Sequence, residues 1–251
     1  MTKEIYLNIY FVFSLFIVVS LFGVFGFAGG QESVEANGGV PEIDRRSYSE
    51  VNTATFALGC FWGGDALFGA QRGVIRTRVG YAGGSTKNPT YRSIGDHTES
   101  IQVDYNPEEI SFKELADLFW SNHDPGTGSY SRQYDKILFY ENEAQKTVAQ
   151  EGLERVSEET DGQVYTRVEK LDNFYPAEDY HQKYRLRNNR KYLNQLQQFY
   201  GNPDALRDST AAARLNGYLA GYGSAENVRA NLGKLGLSEE TRSDLRDMFD
   251  L

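Results

Sequence analysis

One thiol is open to chemistry in this chain: Cys60, in the stretch G-C-F-W-G-G at 59–64. The apolar run before it, T-A-T-F-A-L, reads as a strand, and the segment from Gly64 to Gln71 reads as a short helix. A thiol at a strand end and a helix start meets unpaired N–H groups and the positive end of the helix dipole, which stabilise a thiolate and lower its pKa. That is a nucleophile's position. Phe61 and Trp62 follow at once and could wall an apolar pocket around a small methyl group, while the flanking glycines let backbone approach a ligand closely. Because there is no second cysteine, an internal disulfide, a four-cysteine zinc site and a C-x-x-C redox pair are all excluded. The three histidines, His97, His123 and His181, lack metal-ligand spacing and are read as structural, so no metal is expected.

The elements that must position this thiol follow from periodicity. Gly73–Tyr81 reads as a second strand, and Glu99, Ile101, Val103 and Tyr105 alternate with polar residues as a third. Ser111 and Glu114 form a capping box, after which Phe112, Leu115, Ala116 and Phe119 recur at helical spacing up to Asn122. Lys136–Tyr140 is a strand, Glu143–Glu159 a helix and Gln163–Leu171 a further strand. Strands alternating with helices predict an α/β fold, an α+β two-layer sandwich with helices packed on a sheet. Ala177–Tyr200 and Ser224–Leu251 read as helical and charged, joined by the turn G-N-P-D at 201–204.

The start of the chain is of another kind. From Ile5 to Gln31 no residue is charged, and a run of that length and apolarity suits either a signal peptide or a membrane anchor. The expected organisation is therefore a signal peptide or anchor over 1–28, a flexible linker over 29–51, a catalytic domain over 52–188 and a helical C-terminal extension over 189–251. The secretory pathway is the expected location, with the protein secreted or anchored through residues 5–28. A net charge of −9 argues against nucleic acid, whose phosphates need a basic surface.

The cysteine motif is followed in order by G-Y-A-G-G at 80–84, N-P-T-Y at 88–91, H-T-E at 97–99, Y-N-P at 105–107, F-W-S-N-H-D-P at 119–125, Q-Y at 133–134 and F-Y-P-A-E-D-Y-H-Q at 174–182. Over about Asn52 to Asn188 the chain resembles the type A peptide methionine sulfoxide reductases. The resemblance implies a ferredoxin-like plait with extra helices and reduction of methionine S-sulfoxide, free or in oxidised proteins, as a repair reaction after oxidative stress. It implies Cys60 as nucleophile, Glu99 as the carboxylic acid, Tyr91 and Tyr134 as phenols that bond the sulfoxide oxygen, and Phe61 and Trp62 as the wall that holds the substrate's methyl group. The chemistry suits these residue types, since a sulfoxide sulfur becomes a useful electrophile only when its oxygen is protonated or strongly hydrogen-bonded.

Two departures from the family pattern stand out. The segment G-T-G-S-Y-S-R at 126–132 is shorter than the usual loop and lacks its aspartate, with Ser129 near that place. The glycine-rich tail with resolving cysteines is also missing. A sulfenic acid on Cys60 must then be reduced by an external thiol, for which thioredoxin, glutaredoxin and glutathione are the candidates; no bound cofactor is expected, and a monomer suffices. Two other readings compete. A thiol hydrolase or acyltransferase would pair Cys60 with a histidine base, and a non-catalytic extracellular binding module would keep the fold and dispense with Cys60.

Overall fold

The computed structural model describes residues 39–251. The expected signal peptide or anchor over 1–28 lies outside the described residues, as do residues 29–38 of the linker. Among the described residues no helix is long and apolar enough to cross a membrane. Within the stretch expected to be linker, Glu42–Arg45 form a 3-10 turn with Ile43 buried, and Asp44 bonds the Tyr200 hydroxyl and the backbone N–H of Thr210.

Two β-α-β units interleave to make the core. The first runs β1 (Asn52–Leu58), α1 (Phe61–Gly69) and β2 (Val74–Ala82); the second runs β3 (Thr98–Tyr105), α2 (Phe112–Ser121) and β4 (Lys136–Tyr140). Their four strands pair antiparallel in the order β4-β1-β3-β2, which is the ferredoxin-like plait that the family resemblance implies. The helix α3 (Glu143–Glu159) carries the chain across to β5 (Arg167–Lys170), which joins β4 in parallel, as a crossover of that length permits. A short strand, β6 (Phe174–Pro176), closes the other edge against β2.

Side-chain alternation sets the two faces of the sheet. Phe56, Val79, Ile101, Val103 and Leu138 meet Phe61, Phe68, Leu115 and Phe119 from the helices in the main core. Ala57, Ala82, Ile137 and Phe139 point the other way and pack with Leu171 and Phe174. Burying a side chain the size of Phe56 stabilises the fold by roughly 1.5–3 kcal/mol. The Ser111 capping box is formed, with Ser111 Oγ accepting from the N–H of Glu114 and the Glu114 carboxylate accepting from the N–H of Ser111. A cap of this kind contributes about 1 kcal/mol.

The last third differs from the sequence reading in detail. Only Arg167–Lys170 of the expected strand 163–171 pairs, because β4 offers it a partner of five residues. In place of a long helix over 177–200 there are α4 (Tyr184–Arg187), which begins only after Lys183 takes φ of +55°, and α5 (Arg190–Leu196), set off from it by the non-helical backbone of Asn189. The turn at 201–204 opens into α6 (Pro203–Arg207), with proline at the first position where its missing N–H costs nothing. Then come α7 (Thr210–Tyr218), α8 (Ala225–Asn231) and α9 (Glu239–Met248). Leu186, Tyr192, Leu196, Leu215, Tyr218, Val228 and Leu245 give these helices a core of their own.

Candidate active site

Cys60 stands at the junction of β1 and α1. The helix begins at Phe61, three residues before the sequence reading had it, so Cys60 is itself the N-cap. Gly59 turns the chain there with φ of +87°, a conformation that costs a side-chain-bearing residue steric strain. Cys60 is exposed. The expectation of a lowered pKa is corrected by the surroundings: desolvation pushes the thiol up and leads the balance, the N–H groups of Trp62 and Gly63 together with Arg185 pull it down, and the Glu99 charge adds to the rise. The helix start acts in the expected sense but is outweighed by the aromatic walls, which strip water from a thiolate even though one side stays open.

Glu99 reaches this place by strand parity. It shares a face of β3 with Ile101 and Val103, and its cross-strand neighbour is Tyr81, so its carboxyl lies on the helix-covered side beside the start of α1. It is 1% exposed. The Phe61 N–H donates to Oε2 at 3.1 Å and Gln133 Nε2 donates to Oε1 at 2.7 Å. Burial raises its pKa, and the bonds from Gln133 and Phe61 oppose that rise without cancelling it. A carboxyl so held keeps its proton further towards neutral pH, as a general acid requires.

The two phenols meet there. Tyr134 ends the 3-10 turn Arg132–Tyr134; its oxygen accepts from Gln133 Nε2 at 3.3 Å. The neighbouring Tyr91 phenol and desolvation hold its pKa above the ordinary tyrosine value. A chain of contacts thus runs from Glu99 through Gln133 and Tyr134 to Tyr91. Arg132 ties the turn to the ends of β2 and β3 by donating to the carbonyl of Gly83 at 2.7 Å and to that of Asp96, and Thr98 Oγ1 donates to the Arg132 carbonyl at 2.8 Å. Ser129, near the place of the missing aspartate, donates to Asp135, whose other oxygen bonds Arg167 at 2.8 Å.

Aromatic rings form the rest of the wall. Phe61 is buried and Trp62 half-buried, their centroids 6.4 Å apart. His181 packs between Phe61, Trp62 and Tyr91 at 5.1, 5.8 and 4.5 Å. Tyr184 stacks flat on Trp62, with centroids 3.7 Å apart and planes within 6°. Glu178 binds the site together from behind, accepting from Tyr81 Oη at 2.7 Å and the Tyr91 N–H at 3.0 Å. Although burial pushes its pKa up, these bonds and that from its own N–H prevail and hold Glu178 ionised.

Four residues escaped the sequence reading as contributors here: Gln133, Glu178, Tyr184 and His181, the last read only as structural. Gln133, Glu178 and His181 lay inside quoted motifs, and Tyr184 two residues beyond one. None of the three histidines hydrogen-bonds the thiol. His97 and His123 are engaged with Gly84 and Thr86, and with Phe119 and Thr166. Both ring nitrogens of His181 are buried without a protein hydrogen-bond partner, and its pKa is lowered by desolvation against a weaker pull from Glu178. The thiol–histidine pair that a hydrolase needs is therefore absent among the described residues.

Comparison with known proteins finds one family. A family model described as peptide methionine sulfoxide reductase matches residues 52–210, and one described as the helical domain of selenoprotein methionine sulfoxide reductase A matches residues 201–243. A peptide methionine sulfoxide reductase of Drosophila melanogaster is 48% identical over 192 residues, covering 76% of this chain and 77% of its own. A peptide methionine sulfoxide reductase of Methanococcus maripaludis is 39% identical over 155 residues, 58% of this chain and 99% of its own. Among solved structures, the reduced form of Mxr1 from Saccharomyces cerevisiae superposes with a TM-score of 0.52 at 30% identity, covering 57% of this chain and 89% of that one.

Proposed function

The chain belongs to the peptide methionine sulfoxide reductase family, and from that premise we propose that Cys60 is the nucleophile with which it reduces methionine sulfoxide to methionine. It is an oxidoreductase, and its reaction is thiol-dependent. The observation that carries the site assignment is the buried Glu99 carboxyl, bonded through Gln133 to Tyr134 and through the Phe61 N–H to the residue beside the thiol. In this reading the Cys60 thiolate attacks the sulfoxide sulfur while Glu99 gives its proton to the sulfoxide oxygen and Tyr91 and Tyr134 hydrogen-bond it. Attack joins Cys60 Sγ to the substrate sulfur; the protonated oxygen then passes to Sγ as the sulfur–sulfur bond and the substrate S–O bond break, so methionine leaves as the thioether and Cys60 is left as a sulfenic acid. Phe61 and Trp62 hold the substrate's methyl group.

Two electrons must then return. One external thiol condenses with the sulfenic acid to a mixed disulfide and water, and a second thiol displaces it, restoring Cys60 and leaving an external disulfide. Thioredoxin, glutaredoxin or glutathione can each supply those thiols. Mass spectrometry of the purified chain after methionine S-sulfoxide is added without reductant tests the reading. One added oxygen on the Cys60 peptide is expected. An unmodified Cys60 beside formed methionine would overturn it, as would turnover retained in Cys60→Ser.

The charge-free run from Ile5 to Gln31 supports a place in the secretory pathway, with the protein secreted or held at a membrane. Fractionation with sequencing of the mature N-terminus tests this. A product beginning near Gly29 supports secretion and an uncleaved chain in membranes supports an anchor, whereas an uncleaved chain confined to the cytosol would exclude both.

A further inference from the structure

The extension reaches the active-site wall through one buried amide. Asn216, in α7, is fully buried. Its side-chain oxygen accepts the backbone N–H groups of Arg185 at 2.9 Å and Leu186 at 3.2 Å, in the first turn of α4, and its NH2 donates to Oδ2 of Asp65 in α1 at 3.1 Å. The same Asp65 oxygen accepts the backbone N–H of Lys183 at 3.1 Å. The backbone on both sides of Tyr184 is thus tied to one pair of side chains, and Tyr184 carries the ring that lies flat on Trp62.

This seam is built for close approach. A Cβ on Gly217 would stand 2.6 Å from the carbonyl oxygen of Ala66, and one on Gly69 would stand 2.5 Å from that of Ala213. Arg214, one turn from Gly217, donates to the carbonyl of Gly69 in the last turn of α1, where a cation also suits the helix dipole. The helix that begins at the thiol is therefore gripped by α7 in its middle and at its far end.

We propose that Asn216 is a positioning residue for substrate binding: from the helical extension it fixes the backbone around Tyr184, which holds the Trp62 ring in the plane against which the substrate's methyl group lies. This rests on the reading of Trp62 as the substrate wall. Loss of the amide leaves the buried N–H of Leu186 and the part-buried N–H of Arg185 without their acceptor and frees the turn, so the ring on Trp62 is no longer held. Binding suffers, while Cys60, Glu99 and Gln133 keep their own contacts.

The chain has two tryptophans, so a Trp120→Phe background leaves Trp62 as sole reporter. In that background Asn216→Ala should raise acrylamide quenching of Trp62 to the level seen in Tyr184→Ala. It should raise KM for methionine sulfoxide about tenfold, the scale of one buried hydrogen-bonding group lost, with kcat changed less than about threefold. Combined with Tyr184→Ala it should add little, because both act through one ring. A folded Asn216→Ala with quenching and KM unchanged overturns the proposal, as does a loss that adds fully to that of Tyr184→Ala. Val228→Ala, a truncation elsewhere in the extension, should leave quenching and KM at parental values; the same change there would reduce Asn216 to a general packing role and overturn it too. Should Asn216→Ala not fold, Asn216→Leu, which fills a similar volume without an acceptor, is read on the same two measurements with the same overturning result. A parent chain without turnover would instead fail the assigned reaction, and the quenching arm, which needs none, still decides Asn216.

Discussion

Gln133 donates its side-chain N–H to Oε1 of Glu99 at 2.7 Å, and that bond is the main force holding down a carboxyl that burial pushes up. A donor to the charged form favours ionisation. Gln133→Leu removes it, so the Glu99 pKa should climb further and the acid should stay protonated to higher pH. The alkaline limb of the kcat/KM profile should therefore move upward in this variant, with a lower plateau from the loss of orientation. A limb that moves downward or stays in place would separate Gln133 from the control of Glu99.

Cys60 is predicted to alkylate with an apparent pKa above that of an ordinary cysteine, because desolvation outweighs the N–H groups at the start of α1. The Glu99 charge contributes to the rise, so Glu99→Gln should shift the alkylation midpoint to lower pH. Iodoacetamide labelling of the single thiol across pH measures both. An unshifted midpoint would mean that Glu99 is already uncharged wherever the thiol titrates.

The same Glu99→Gln substitution should lower sulfoxide reduction by roughly 10²- to 10⁴-fold, the usual scale for a general acid, while KM changes far less. Glutamine keeps the shape and an acceptor for the Phe61 N–H but has no proton to give. A rate within a few-fold of the parent under single-turnover conditions would leave Tyr91 and Tyr134 as sufficient donors to the oxygen.

What the sequence revealed and what it hid divide by range. Lys136–Tyr140 and Glu143–Glu159 fall where periodicity put them, and the Ser111 capping box forms, because short spacing alone specifies each. The helix α7 lies within the extension expected to be helical but outside both stretches that read as helices. All nine of its residues are buried, so Arg214 and Asn216 erase the polar face by which an amphipathic helix is recognised. The ring stack of Tyr184 on Trp62 and the bond of Gln133 to Glu99 join residues far apart in the chain, and no local pattern encodes either. Cys60, Glu99, Tyr91 and Tyr134 came from ordered motifs, while the direction of the thiol's pKa depended on walls that only the folded chain assembles.

Lys183 and Asp65 supply the last prediction. The ammonium is 1% exposed and sits 3.0 Å from Asp65 Oδ1, 2.6 Å from the Thr77 carbonyl and 3.0 Å from Thr77 Oγ1. Its burial draws its pKa down despite the attraction of Asp65. Removing one member of such a pair leaves the other charged and dry, which costs about 3–5 kcal/mol, whereas replacing both with uncharged groups of similar volume is often close to neutral. Lys183→Met should therefore lower the unfolding free energy by that amount in a denaturant titration, and adding Asp65→Asn should recover a large part of it. The double variant still offers an amide to Asn216 and to the Lys183 backbone position, so the turn before Tyr184 should survive better than in Lys183→Met alone. If the two losses simply add, the pair is not energetically coupled, and the anchoring of this turn to α1 rests on the backbone contacts alone.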